Sequence, residues 1–283
     1  MNYESFFQMS FEPFANIPDT RFFFETNQHK MALLRLMHAA DKMRGFALLV
    51  GDVGTGKTTV ARKLLAYLTR SPKFQTGLIV LTHENFSDEW LFTRIGQIIG
   101  LKDTTNLMKD PMNILTKQLI NLDREGKKTV ILIDEANKLS DSRIVEQIRG
   151  FLNLELNDRR IITFILIGVP ELERHILQNE SLQQRIAART YLKSLSRDET
   201  FGYIKYRLSV VGANISSIFT PDSVDLIHSY SNGRPRLINT ICDNALLEAA
   251  FLQRVPVDSM MIEEVSESLG LKKQQFGNFK REL

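Results

Sequence analysis

Two short stretches of the chain carry residue types at spacings that can do chemistry. The first is Gly51-Asp52-Val53-Gly54-Thr55-Gly56-Lys57-Thr58. Its glycines, lysine and threonine satisfy each fixed position of the eight-residue phosphate-binding loop. Glycines there let backbone N–H groups turn inward around phosphates, at a helix N-terminus that favours negative charge. Lys57 is placed to reach β- and γ-phosphates and the Thr58 hydroxyl to ligate Mg²⁺; Thr59 completes the candidate nucleotide-binding set. The second stretch is Asp134-Glu135, which ends the apolar run Val130-Ile131-Leu132-Ile133. Asp134 can hold the Mg²⁺ shell. Glu135 is placed to polarise a water for in-line attack on a γ-phosphate. Together the two stretches point to ATP with Mg²⁺ and to hydrolysis.

Other uses of a phosphate loop fail on particular residues. A dinucleotide fingerprint starting at Gly54 needs a third glycine where Thr59 stands. A guanine-reading Asn-Lys-x-Asp would have to be Asn137-Lys138-Leu139-Ser140, which ends in serine and directly follows the metal-binding strand. A small-molecule kinase would carry an arginine-rich lid rather than a glutamate at 135. Cys242 is the single cysteine, which excludes an internal disulfide and a thiolate metal site. Ile238, Ile241 and Ala245 surround it at helical spacing and predict a buried core thiol. His38, His83, His175 and His228 have no metal-ligand spacing.

The elements that must position these groups follow from hydrophobic patterning. Between 46 and 196, the runs "FALLVG", "TGLIVLT", "TVILIDE", "ITFILIGV" and "TYLKSL" alternate with helical patterns. Strands apolar throughout, each followed by a helix, predict a five-stranded parallel sheet covered on both faces. The phosphate loop lies between the first strand and the helix "KTTVARKLLAYL". From 197 to 270 only amphipathic helical segments follow, with Pro221 and Pro235 at helix starts. The expected organisation is an aromatic-rich lead-in and helix (1–45), an α/β core (46–196), a small all-helical lid (197–270) and a basic tail (271–283). The 283 residues are 43% hydrophobic and 24% charged, an ordinary globular balance, and a net charge of +3 does not argue for nucleic acid. No apolar run approaches the ~18 residues that span a bilayer, and the start "MNYESFF" lacks a signal-peptide pattern. A cytoplasmic location is the expectation.

The chain resembles the AAA+ ATPases, and within them the GspA/ExeA-like group of secretion and pilus-assembly ATPases. The stretches "FFQMSFEPFANIPDTRFFFETNQHKMALLRL", "GFALLVGDVGTGKTT", "LIDEANKLS", "FLNLELNDRRIITFILIGVPEL", "LQQRIAARTYLKSLSRDET" and "GRPRLINTICDNALL" carry the resemblance in order along nearly the whole chain. ATPases of Tn7-like transposition look similar. The resemblance implies a P-loop core followed by a helical lid, with nucleotide bound between subunits of a ring or filament. Arg236 matches the lid arginine that touches the γ-phosphate from the same subunit. Arg185 and Arg189 fall where the family places arginines facing the next subunit's nucleotide, with Arg185 preferred. Asn153 and Glu155, on the helix after the Glu135 strand, match an N-x-E that senses the neighbour.

Departures from the family matter as well. The fourth strand ends in Val169 where the family has a polar first sensor, so that role falls to a neighbour such as Thr163 or is missing. A slow, switch-like ATPase is therefore expected. The resemblance places Pro13, Phe14, Pro18 and His29 beside the adenine; the aromatics alone equally suit packing on the flank of the sheet.

Two functions follow. In one, a homo-oligomeric ATPase drives an envelope secretion, pilus or surface-polymer system through a protein partner anchored in the membrane. In the other, it forms ATP-dependent rings or filaments on duplex DNA. The second needs Arg143, Arg149, Arg159, Arg160 and the tail residues Lys272, Lys273, Lys280 and Arg281 to meet phosphates.

Overall fold

The computed structural model describes residues 2–17, 19–82, 87–102, 107–139, 142–156 and 159–273, without the side chains of 108, 142–145 and 147. Pro18, His83, Lys280, Arg281 and the side chain of Arg143 lie outside the described residues. The chain divides into a helical unit (Met1–Thr26, Val53–Gly56 and Lys193–Leu283) and an α/β unit (Asn27–Asp52 and Lys57–Leu192). It opens with one helical turn, α1 (Tyr3–Phe6), capped by the Asn2 side chain.

The α/β unit begins with α2 (Asn27–Asp41) and continues through β1 (Phe46–Gly51), α3 (Lys57–Thr69), β2 (Phe74–Val80), α4 (Asp88–Ile98), α5 (Pro111–Arg124) and β3 (Lys128–Asp134). After α6 (Ser142–Leu152) a two-stranded antiparallel hairpin of β4 (Glu155–Leu156) and β5 (Arg159–Arg160) leads into β6 (Ile162–Gly168), α7 (Pro170–Leu177), α8 (Glu180–Gln183) and β7 (Ala188–Leu192). The five apolar runs form one parallel sheet in the order β2-β3-β6-β1-β7. β1 and β6 are buried along their whole length, as central strands covered on both faces must be. The edge strands β2 and β7 are more exposed and less uniformly apolar.

This strand order puts the carboxyl end of β6 between those of β3 and β1. Ligands in open α/β sheets bind beyond the carboxyl ends of the strands, where the direction of winding changes. The residues ending β3 and following β1 occupy that place.

The helical unit is completed by α9 (Arg197–Val210), α10 (Ile215–Ile218), α11 (Pro221–Ser231), α12 (Pro235–Leu252) and α13 (Ser259–Ser268). Ser196 and Glu199 form a reciprocal capping box at the start of α9, and Thr220 caps α11 ahead of Pro221. Cys242 is fully buried in α12, and burial pushes its thiol pKa up.

N-terminal aromatics pack within the helical unit. Tyr3, Phe14 and Phe22 are buried in the core of the helical unit with Tyr203, Leu208, Phe219 and Ile241. Arg207 of α9 explains why. It is 5% exposed, and its guanidinium donates to the carbonyls of Pro13 and Ala15 and to the Tyr203 hydroxyl. The rings of Phe22, Tyr203 and Phe14 lie around the same cation at 4.4, 5.5 and 5.9 Å. A buried guanidinium must have its donors satisfied, and here carbonyls far away in sequence satisfy two of them. The lead-in is thereby tied to the helices. His29, at the start of α2, is buried in the α/β unit.

Candidate nucleotide site

The loop after β1 needs backbone conformations that side chains resist. Gly54 and Gly56 have φ of +83° and +96°, in the left-handed region that glycine enters without penalty. Gly51 is the last residue of β1, paired with Leu192 of β7, and α3 starts at Lys57. Asp52 and Val53 are exposed, Thr55 is buried, and Gly54, Gly56, Thr58 and Thr59 are half-buried. Lys57 is itself 8% exposed and its Nζ donates to the Asp52 carbonyl at 2.9 Å. Its ammonium is thus turned back onto the loop from which it springs.

β3 delivers the carboxylates. Asp134 is 1% exposed; one of its oxygens, Oδ2, accepts from the Thr58 hydroxyl at 2.8 Å and the other from the Glu135 N–H at 2.9 Å. Glu135 is half-buried and adopts φ +56°, ψ 34°. A non-glycine residue in that region costs free energy and recurs where function holds a side chain in place. The turn swings the chain out of β3 into a 3-10 turn, Ala136–Lys138, which Lys138 fastens by donating to the Thr82 carbonyl at 3.0 Å.

The donor set fits a Mg²⁺ ion. One carboxylate and one hydroxyl oxygen stand 2.8 Å apart at the start of α3. Mg²⁺ takes one or two protein oxygens and fills its remaining positions with water and substrate phosphates. Among the described residues no cluster of three or more His, Cys, Asp or Glu side chains could hold a metal by itself.

The remaining candidates are placed as follows. Arg236 is exposed in the first turn of α12; its backbone N–H donates to the Gly54 carbonyl at 3.3 Å, and both residues belong to the helical unit. Arg185 and Arg189 lie in the α/β unit, on the segment from α8 into β7, and both are half-buried. Arg189 is 3.7 Å from the Glu173 carboxylate, which also accepts from the Tyr191 hydroxyl. Among the described residues Arg185 donates to the Leu152 carbonyl over a long 3.4 Å. Asn153 and Glu155 are exposed but not helical, because α6 ends at Leu152 and Glu155 belongs to the hairpin, opposite Arg160.

Thr163 does not stand in for a polar first sensor. It pairs in register with Val130, four residues before Asp134, and its hydroxyl accepts from the Gly45 N–H at 3.2 Å. It sits at the wrong end of β6. No sequence pattern marks Asn137, whose Oδ1 is buried without a hydrogen-bond partner.

Of the arginines considered for nucleic acid, Arg149, Arg159 and Arg160 are engaged within the chain. Arg149 pairs with Glu146 at 2.6 Å and Arg159 with Asp123 at 2.7 Å, while Arg160 donates to the Arg44 carbonyl. Burial, then the nearby Arg185, lowers the pKa of Arg160. Lys272 is exposed, and Lys273 pairs with Glu263 at 3.6 Å.

A family model described as an AAA domain matches residues 40–176, which span β1, the phosphate loop, Asp134-Glu135 and β6. General secretion pathway protein A of Aeromonas hydrophila is 36% identical over 257 residues, covering 87% of this chain. The chain belongs to the AAA+ ATPases. It spans 45% of the length of the Aeromonas protein, its relative in the GspA/ExeA-like group. The AAA+ fold is equally plain among solved structures. Drosophila ORC bound to DNA superposes with a TM-score of 0.70 at 16% identity, covering 92% of this chain and 65% of that one. Cdc6p from Pyrobaculum aerophilum gives 0.68 at 16% identity, covering 89% and 71%. At such identities the likeness is one of fold. Its AAA-family homologues support nucleoside-triphosphatase activity in general. No helix among the described residues is long and apolar enough to cross a membrane.

Proposed function

We propose that the chain is an ATPase that binds ATP with Mg²⁺ at the loop 51–59, hydrolyses it between copies of itself, and uses the cycle to drive or regulate assembly of an envelope secretion, pilus or surface-polymer export system. The observation that carries the reading is the Thr58–Asp134 contact at 2.8 Å beside Lys57, with Glu135 following directly. Thr58 and Asp134 would hold Mg²⁺, which neutralises phosphate charge when bound. Lys57, released from the Asp52 carbonyl, would meet the β- and γ-phosphates. Glu135 would take the proton of the attacking water. Arg236 would report the γ-phosphate, as its family position implies. Arg185 is the better trans arginine of the two, because Arg189 already has a carboxylate partner. The general secretion relative supports the envelope role, carried out in the cytoplasm through a membrane-anchored partner.

The test uses the Glu135→Gln variant, which should bind ATP, hydrolyse it at least about 100-fold more slowly and lock the oligomer. Turnover at the wild-type rate would overturn the assignment of the base. Arg185→Ala should retain ATP binding and lose turnover only in the assembled sample. Labelled duplex DNA titrated with Glu135→Gln, with and without ATP at two salt concentrations, decides the partner class. No binding by an assembled sample supports the envelope reading. Tight, ATP-dependent and salt-sensitive binding would replace it with the DNA reading.

A further inference from the structure

Asn137 sits in the 3-10 turn after Glu135, and its Oδ1 is buried with no hydrogen-bond partner. A buried acceptor left unmade costs roughly 1–3 kcal/mol, so a fold that keeps one needs a reason. The surroundings supply it. Oδ1 stands against Gly168, 3.0 Å from where a Cβ would be. Gly168 ends β6 and pairs in register with Val50, one residue before the phosphate loop. On its other side β6 pairs with β3, Ile133 opposite Leu166, which brings Asp134 and Glu135 level with the last residues of β6. Asn137 is therefore folded over the strand end that separates the carboxylates from the loop. The turn is fixed by fully buried Ala136, by Leu139 and by the Lys138 bond to Thr82. Val169, next along the chain, has no polar atom in its side chain, and Thr163 is at the far end of the strand.

A small hydrogen-bonding molecule can satisfy an amide oxygen packed on a glycine backbone, and water is the smallest. We infer that Asn137 is the positioning residue for the attacking water, holding it through its carboxamide while Glu135 accepts the proton. This rests on the ATPase reading above. In the step, the water oxygen bonds to the γ-phosphorus as the bond from that phosphorus to the bridging oxygen breaks. ADP leaves with the electron pair, and one water proton passes to the Glu135 carboxylate. Asn137 exchanges no proton; it fixes the direction of the water.

The experiment compares wild type, Asn137→Ala, Asn137→Asp and Glu135→Gln for ATP turnover, ATP affinity and thermal midpoint, each in an assembled sample. Asn137→Ala should lower kcat about 10- to 100-fold, with ATP affinity within about threefold and the thermal midpoint unchanged or raised, because an unpaired buried acceptor is removed. Asn137→Asp, which keeps an acceptor of nearly the same shape, should recover much of the turnover. Wild-type kcat in Asn137→Ala, with Glu135→Gln impaired, would sink the assignment and leave the ATPase reading standing. A lowered thermal midpoint in Asn137→Ala, with turnover falling in proportion to folded protein and no recovery in Asn137→Asp, would make the residue structural and sink it equally. No turnover in wild type would refute the ATPase reading itself.

Discussion

The carboxyl end of the α/β sheet and the surroundings of Arg207 in the helical unit handle buried polar groups differently. At the carboxyl end of the α/β sheet, polar groups are few, close together and only partly committed. Thr58 and Asp134 meet each other, Lys57 donates to the Asp52 carbonyl of its own loop, and the amide oxygen of Asn137 is unbonded. In the helical unit the network around Arg207 runs on through a series of side chains. Arg207 donates to Tyr203, Tyr203 to Asn239, Asn239 to Asn16, and Asn16 to Thr240, whose hydroxyl donates to the Arg236 carbonyl. Burial drives the Tyr203 phenol pKa up, which keeps it a neutral donor. A satisfied network specifies a fold. An open one destabilises the free protein slightly and gains when a ligand arrives.

The sharpest way to break that contrast is Lys57→Ala. If the open end of the sheet exists for phosphate, losing this cation should weaken ATP binding by about 2–3 kcal/mol, close to a hundredfold, while the thermal midpoint without nucleotide shifts little. Fluorescent-nucleotide titration and calorimetry read both. A large drop in midpoint with affinity preserved would make Lys57 scaffold and end the distinction.

Arg207→Met turns the test round. It removes the donor to two carbonyls and a hydroxyl inside the helical unit and leaves those acceptors buried, at a cost of about 3 kcal/mol or more. Denaturant unfolding should show the loss, and limited proteolysis should cut between 13 and 22, the segment Arg207 ties down. An unchanged unfolding midpoint would mean that the rings of Phe14 and Phe22 hold the lead-in unaided.

The same contrast explains what was legible beforehand. Continuous apolar strands and the spacing of glycine, lysine, threonine and paired carboxylates are local signals, so the sheet, its five strands and the site elements could be read directly. The placement of the lead-in could not. It depends on Arg207 meeting Pro13 and Ala15, more than 190 positions away, and no periodicity records a carbonyl. Thr163 was nominated for want of register: its place on β6 shows only once Val130 is seen opposite. Asn137 was passed over because a lone asparagine after a strand carries no pattern. Its distinguishing property, a buried oxygen with no partner, belongs to the packed structure alone.

The smallest expected effect is a dependence on pH within the helical unit. His228 is 9% exposed, its Nδ1 is 2.8 Å from the Thr200 hydroxyl, and burial, then Arg197, holds its pKa below the usual histidine range, with Asp225 opposing. The folded state thus favours the neutral ring, and the unfolded chain takes up the proton more readily. The stabilisation is full above the ordinary histidine pKa of about 6.5 and is lost as pH falls below it towards the depressed folded value. Between pH 7.5 and 5.5 the thermal midpoint should fall, and in His228→Gln, which keeps a polar group but no titration in that range, the fall should be shallower. Equal slopes in the two proteins would mean that the Thr200–His228 contact tolerates a charged ring. That would loosen the polar network of the helical unit and soften the contrast with the site.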